Sequence, residues 1–293
     1  MVRPALVLAS LALPATAAAL AAGGGPAPGV IQGGEGVLAP NGKMRYVAVA
    51  ADGSTTVEAV RVHGGVVGRV LSIRGTFGIP LVAQDGSAGG LSADGRTLVL
   101  ATYPGLPDAS AVTKLAIVDA KRFRLRQVVT LHGSYSYDAI SPNGSNVFVI
   151  EYLKYQPTTN AVEYRVRALA AGTGRLTPGA IVDKREPDES MQGFPVTRAS
   201  SRNGEWAYTL YARNGAGKAF VHALDTRRAA AFCIDLPWSN VSGSLWNVRM
   251  AVTPNGSQLV LRQPAIGRLA TIDTHSLRVQ VLKKPVAPGT PIR

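Results

Sequence analysis

Cysteine is almost missing from this chain: Cys233 is the one thiol in 293 residues. A single cysteine excludes an internal disulfide framework, so stability has to come from core packing. Between Phe232 and Ile234, Cys233 reads as a small buried hydrophobe rather than a nucleophile. Acidic residues are scarce too, 18 against 31 Lys and Arg, for a net charge of +13. That excess suits an anionic partner, such as a cell-envelope polymer, a phospholipid surface or a nucleic acid. The basic residues are dispersed, however, and the densest run, Lys121 to Arg126, alternates with apolar residues as a solvated strand face does. The four histidines, His63, His132, His222 and His275, have no ligand spacing, so no metal is expected. Sustained helical periodicity is absent, as are a nucleophile elbow, a phosphate-cradling glycine loop and a dinucleotide fingerprint. No cofactor and no catalytic residue is implied.

The N-terminus is the exception to a chain without long apolar runs. Met1-Val2-Arg3 is followed by small apolar residues from Pro4 to Ala22, then by Gly23-Gly24-Gly25-Pro26. This order predicts an export signal over residues 1–22 and a flexible segment over 23–32. The mature chain is then secreted or held in the periplasm or cell envelope. No stable membrane span remains after processing. Export also argues against nucleic acid as a partner.

What the chain has in plenty is turns. Pro40-Asn41-Gly42, Ala93-Asp94-Gly95, Pro142-Asn143-Gly144, Arg202-Asn203-Gly204 and Pro254-Asn255-Gly256 are each followed at once by a short apolar run. The turn glycines are 49 to 60 residues apart. A second landmark follows in three of the units, where strand-like runs end at Asp119, Asp225 and Asp273 before a further apolar run. The other two units turn through Gly64-Gly65 and Gly172-Thr173-Gly174 instead. Asn-Gly and Asp-Gly supply the positive φ that tight hairpins need. Each unit thus holds four strand-sized runs, and five such units predict an all-β chain. The architecture expected is a β-propeller of about five four-stranded blades over residues 33–285, with a tail over 286–293. A sixth, eroded blade has room only in Gly75–Gly90 or Thr177–Pro195, and Val30–Gln32 is the one candidate for an extra closing strand.

Ser141-Pro142-Asn143-Gly144 followed by Val147-Phe148-Val149, together with Ile272-Asp273-Thr274, resembles the repeat of YVTN-type propellers. Lactonase-like and TolB/WD40-like propellers are close relatives of that repeat. The resemblance implies blade architecture and says little about function, because the shared residues are turn and core positions.

Propeller ligands sit over the central channel, on loops leading into the innermost strands. Ten residues before each turn glycine lie Gln32, Asp85, Ser134, Phe194 and Trp246; seven before lie Glu35, Ala88, Tyr137, Thr197 and Arg249. Tyr135 and Asn247 fall between these rows. Gln192 ends the acidic stretch from Pro187 that leads into the fourth unit. The candidate channel mouth is therefore Gln32, Glu35, Asp85, Tyr135, Tyr137, Gln192, Trp246, Asn247 and Arg249. Tyr135 and Tyr137 are expected on a loop flanking Ser136, and Glu35 and Arg249 are expected to neutralise each other across the channel. Such a mixture of aromatic and polar groups suits a small polar or sugar-like ligand, or a protein docked on one face. The alternative is a lactonase-like hydrolase or lyase.

Overall fold

The computed structural model describes residues 29–103, 110–156, 161–187, 191–213, 218–239 and 244–286. Its strands fall into five sequential antiparallel sheets, one for each repeat, and a separate two-stranded sheet of Val30–Ile31 with Ile79–Pro80. Blade one comprises Val37–Leu38, Met44–Ala51, Ser54–Arg61 and Val67–Arg74. Blade two contains Thr97–Ala101, Val112–Asp119 and Arg124–His132, with Leu91 bridged to Leu98 in the innermost place. Blade three runs Tyr135–Ile140, Asn146–Gln156, Ala161–Ala170 and Arg175–Leu176; blade four runs Phe194–Ser200, Trp206–Ala212, Lys218–Asp225 and Ala230–Ser239. Blade five is Arg249–Val252, Gln258–Gln263, Gly267–Asp273 and Val279–Val286.

The repeated turns are built by side chains as well as by glycine. All five turn glycines have φ between 67° and 76°, a left-handed conformation in which a side chain is strained. In the third unit, Ser141 Oγ accepts the Asn146 amide at 2.9 Å and Asn143 Oδ1 accepts the Ser145 amide at 3.1 Å. Ser92 with Asp94, Ser201 with Asn203 and Thr253 with Asn255 repeat this pair of bonds. Only the first unit lacks the hydroxyl, because Ala39 stands in its place. Asp119, Asp225 and Asp273 accept backbone amides of the turns that follow them, as turn formers. In the run from Lys121 to Arg126, the first three residues form a turn and an exposed outer strand begins at Arg124.

Apolar side chains fill the spaces between consecutive blades. Tyr46, Ala48, Val57 and Ile73 of blade one pack on Leu98, Ala116, Val118 and Phe123 of blade two. Comparable clusters join blades two and three, three and four, and four and five. Among the described residues, no core cluster joins blade five to blade one. The face of blade one turned away from blade two leaves Val49 44% and Val70 60% exposed.

Both stretches with room for a sixth blade have other roles. Within Gly75–Gly90, Ile79–Pro80 pairs with Val30–Ile31, and a hairpin bridged by Leu81 and Ala88 crosses the axis. At its tip, the Gln84 and Asp85 amides donate to the Pro195 and Val196 carbonyls of blade four at 2.8 and 3.1 Å. Val82 and Ala83 are buried by this crossing. Val30 and Ile31 therefore anchor a plug inside the ring and do not close it. In Thr177–Pro195, Ile181 bridges Val166 and Asp183 bridges Ala231, which carries the chain along the outer edge from blade three to blade four. Residues 1–28 and 287–293, which include the expected signal, lie outside the described residues.

Candidate functional site

The nine candidate mouth residues divide into separate groups. Asp85, Trp246 and Arg249 come together beside blades four and five. Arg249 Nη1 donates to the Trp246 and Val248 carbonyls, both at 2.9 Å, and its Nε lies 3.9 Å from Asp85 Oδ2. Trp246 belongs to a short 3-10 turn, Ser244–Asn247, and its ring tilts against Phe194 at 6.4 Å. Asn247 is exposed beside it, and Gln192 is exposed ahead of the fourth inner strand. Asp85 Oδ1 also accepts the Ser87 amide and hydroxyl, which holds the plug tip in shape.

Gln32 and Glu35 belong to blade one. Gln32 donates to the Phe77 carbonyl at 2.7 Å and accepts the Ala50 amide at 2.9 Å, so it ties the first strand to the blade. Glu35 pairs with Arg45 and is 85% exposed. The expected pairing of Glu35 with Arg249 does not occur, because each finds a nearer partner.

Tyr135 and Tyr137 correct the expectation of a loop. Both lie in the strand Tyr135–Ile140 and both are buried. The alternation of Tyr135 and Tyr137 with Ser136 reflects a strand packed on both faces. Tyr135 donates to Glu151 Oε1 at 2.9 Å, and burial together with that carboxylate pushes its hydroxyl up to about 12. The Tyr137 hydroxyl bonds the Gly90 backbone, and burial raises it further. Its ring lies so close to the plug that a Cβ on Gly89 would sit 2.7 Å from Tyr137 Cε1.

Tyr137 is also part of a cavity of ≈ 310 Å³ on the turn side of the plug. The cavity is bounded by the inner strands of blades one to four. Its polar lining includes Ser92, Asp138, Arg198 and Ser200, and the exposed Leu38, Pro40 and Arg202 mark its rim. Asp138 and Arg198 face each other from adjacent inner strands as an ion pair, 2% and 8% exposed. Arg198 also donates to the Asp138 carbonyl at 3.1 Å. Asp138 Oδ2 and Arg198 Nε are buried with no hydrogen-bond partner. One acceptor and one donor thus remain open, and buried groups of this kind call for a ligand or an ordered water.

Reading loops alone missed this pair. A signal was present: Asp138 and Arg198 each stand six residues before their turn glycine. Opposite charges at one register of consecutive units imply contact between neighbouring inner strands. Among the described residues, no three His, Cys, Asp or Glu side chains converge as a metal-binding group. Cys233 is half-buried rather than fully buried, and it borders a small cavity between blade four and the segment that leads into it.

No family model matches this chain, and no curated protein matches it. Solved structures do. An oligogalacturonate lyase in complex with manganese aligns with 88% of this chain and 66% of its own, at 11% identity and a TM-score of 0.53. The chain is a β-propeller. The Dos1 propeller aligns at 14% identity and a TM-score of 0.45, and a putative TolB from Agrobacterium tumefaciens at 13% and 0.44. The Dos1 alignment covers 83% of this chain but only 54% of the Dos1 chain, and the TolB alignment 87% of this chain and 80% of the TolB chain. At these identities the likeness concerns the fold, and the propeller's chemistry has to be read from its own side chains.

Proposed function

We propose that this propeller is an exported, non-catalytic binding protein that takes a small polar ligand into its axial cavity. The observation that carries the reading is the buried Asp138–Arg198 pair, with one acceptor and one donor left open beside a cavity of ≈ 310 Å³. The pair is neutral as a unit, so a neutral ligand adds no uncompensated charge. A compact polyol such as a monosaccharide supplies a hydroxyl hydrogen for Asp138 Oδ2 and a hydroxyl oxygen for Arg198 Nε. Tyr137, Val82 and Ala88 offer apolar surface to its ring.

Calorimetry against a panel of pentoses, hexoses and hexuronates tests the reading. Binding that disappears when the lining residue Ser200 is changed to Trp, with the fold intact, supports it. Failure of every sugar, or binding unaffected by S200W, overturns it. Export rests on the order of charge and small apolar residues over Met1 to Ala22, and N-terminal sequencing of the protein from the envelope and medium fractions tests it. In a lactonase-like hydrolase or lyase, Asp138 would be the acid closest to the ligand. Its engagement with Arg198 supports a binding role over an acid-base role.

A further inference from the structure

A second cavity lies between blade four and the segment that leads into it from blade three, with ≈ 20 Å³ of space, enough for one water-sized occupant. Met191, His222 and Cys233 all line it. His222 and Cys233 are direct cross-strand partners, so their side chains stand on one face of blade four. Met191 bridges Tyr164 of blade three, and both Met191 and Cys233 pack against the buried cluster of Tyr164, Tyr211 and Phe220. Two sulfur atoms and an imidazole therefore border a single small space.

The imidazole is the unusual member. His222 is 2% exposed, and neither of its ring nitrogens has a hydrogen-bond partner. A buried ring without partners on either side is costly, which sets it apart from a histidine used for packing. In a neutral imidazole one of these nitrogens keeps a lone pair, and among the described residues nothing accepts from or donates to either.

We propose that Met191, His222 and Cys233 form a site for a soft monovalent metal ion, Cu(I). Thioether and thiolate ligands select Cu(I), and neutral imidazole suits copper as well. Binding releases the Cys233 thiol proton to solvent, and the resulting thiolate cancels the charge of the ion. With the thiolate the Cu(I) unit is neutral, whereas Zn(II) leaves a net positive charge in a cavity that the Arg213 guanidinium also lines. The buried carboxylate that lines this cavity, Asp183, is unavailable as a hard ligand. Asp183 accepts from Arg185 at 2.6 and 2.9 Å and from the Cys233 amide at 2.8 Å. The metal enters already reduced, so no redox step is involved.

The test titrates the reduced full chain with Cu(I) under argon, against a chromophoric Cu(I) chelator. One equivalent should leave the chelator, and the bound ion should protect Cys233 from iodoacetamide. Cys233→Ser should abolish capture. Met191→Leu keeps the side-chain volume and should weaken capture at least tenfold, the scale on which even outer-shell losses act. No capture by the wild-type chain overturns the proposal, as does undiminished capture by C233S or tighter binding of Zn(II) than of Cu(I). If C233S fails to fold, M191L decides, and unchanged affinity there overturns thioether ligation.

Discussion

Arg198 of blade four reaches across to blade three and donates to both the carbonyl and the carboxylate of Asp138. The two residues occupy one register of consecutive repeats, and both side chains are withdrawn from water. Their union fixes the angle between two inner strands and sets the polarity of the axial cavity.

Removing either partner leaves the other charge buried alone. Asp138→Ala and Arg198→Ala should each cost about 3–5 kcal/mol in urea unfolding. The double change to Leu and Met should recover most of that loss, because an apolar pair has no desolvation penalty. Single variants that cost under about 1 kcal/mol would show that water already compensates the pair.

Glu151 contributes to the acid limb of stability. Burial alone would raise its pKa, but hydrogen bonds from Arg165, Tyr135 and Arg167 bring it below its ordinary value. A depressed carboxyl stabilises the fold fully above its unfolded value, and that contribution is lost as pH falls through the folded value. Unfolding measured from pH 6 down to pH 2 should therefore show a loss below the ordinary carboxylate range. Glu151→Gln should flatten that part of the profile. A parallel curve for the variant would assign the acid loss to other groups.

The first repeat offers a stabilising change. Ser141, Ser92, Ser201 and Thr253 each accept the first amide of the following strand. Ala39 has the same position without the hydroxyl, and the Ala39 amide already bonds the Met44 carbonyl. Ala39→Ser should add the bond to the Met44 amide and stabilise by about 0.5–1.5 kcal/mol, while Ser141→Ala should lose as much. Opposite shifts in the midpoint of thermal unfolding would confirm the shared geometry, and equal destabilisation by both would refute it.

Gly89 bears on the plug. Its backbone φ is not in the left-handed region, so the constraint there is the Tyr137 ring rather than strain. Gly89→Val should push the hairpin off the axis without unfolding the blades. Hydrogen exchange at Gln84 and Asp85, whose amides bond blade four, should accelerate at least tenfold, a local loss of about 1.4 kcal/mol. Unchanged protection would mean that the hairpin yields elsewhere.

Local chemistry made most of the scaffold legible from the chain. An Asn-Gly or Asp-Gly turn needs positive φ wherever it occurs, and short apolar runs on either side of it pair as neighbours. Five such turns therefore implied five blades, and Asp119, Asp225 and Asp273 revealed themselves as turn formers. The site was harder to read, because counting back from a glycine gives a register and not a direction. Tyr137 and Arg249 share one register, yet one packs against Gly89 of the plug and the other lies against Asp85 at its tip.

The sequence by itself determined the repeat, the strand order within each blade and the chemistry of the turns, since all of these depend on residues close together in the chain. Tertiary structure decided how the units meet. Only in three dimensions does the hairpin of residues 78–90 cross from blade two to blade four. Asp138 then meets Arg198, and Met191 comes to line one small cavity with His222 and Cys233. Such contacts follow from how whole blades pack, with apolar cores placing the polar groups that lie between them.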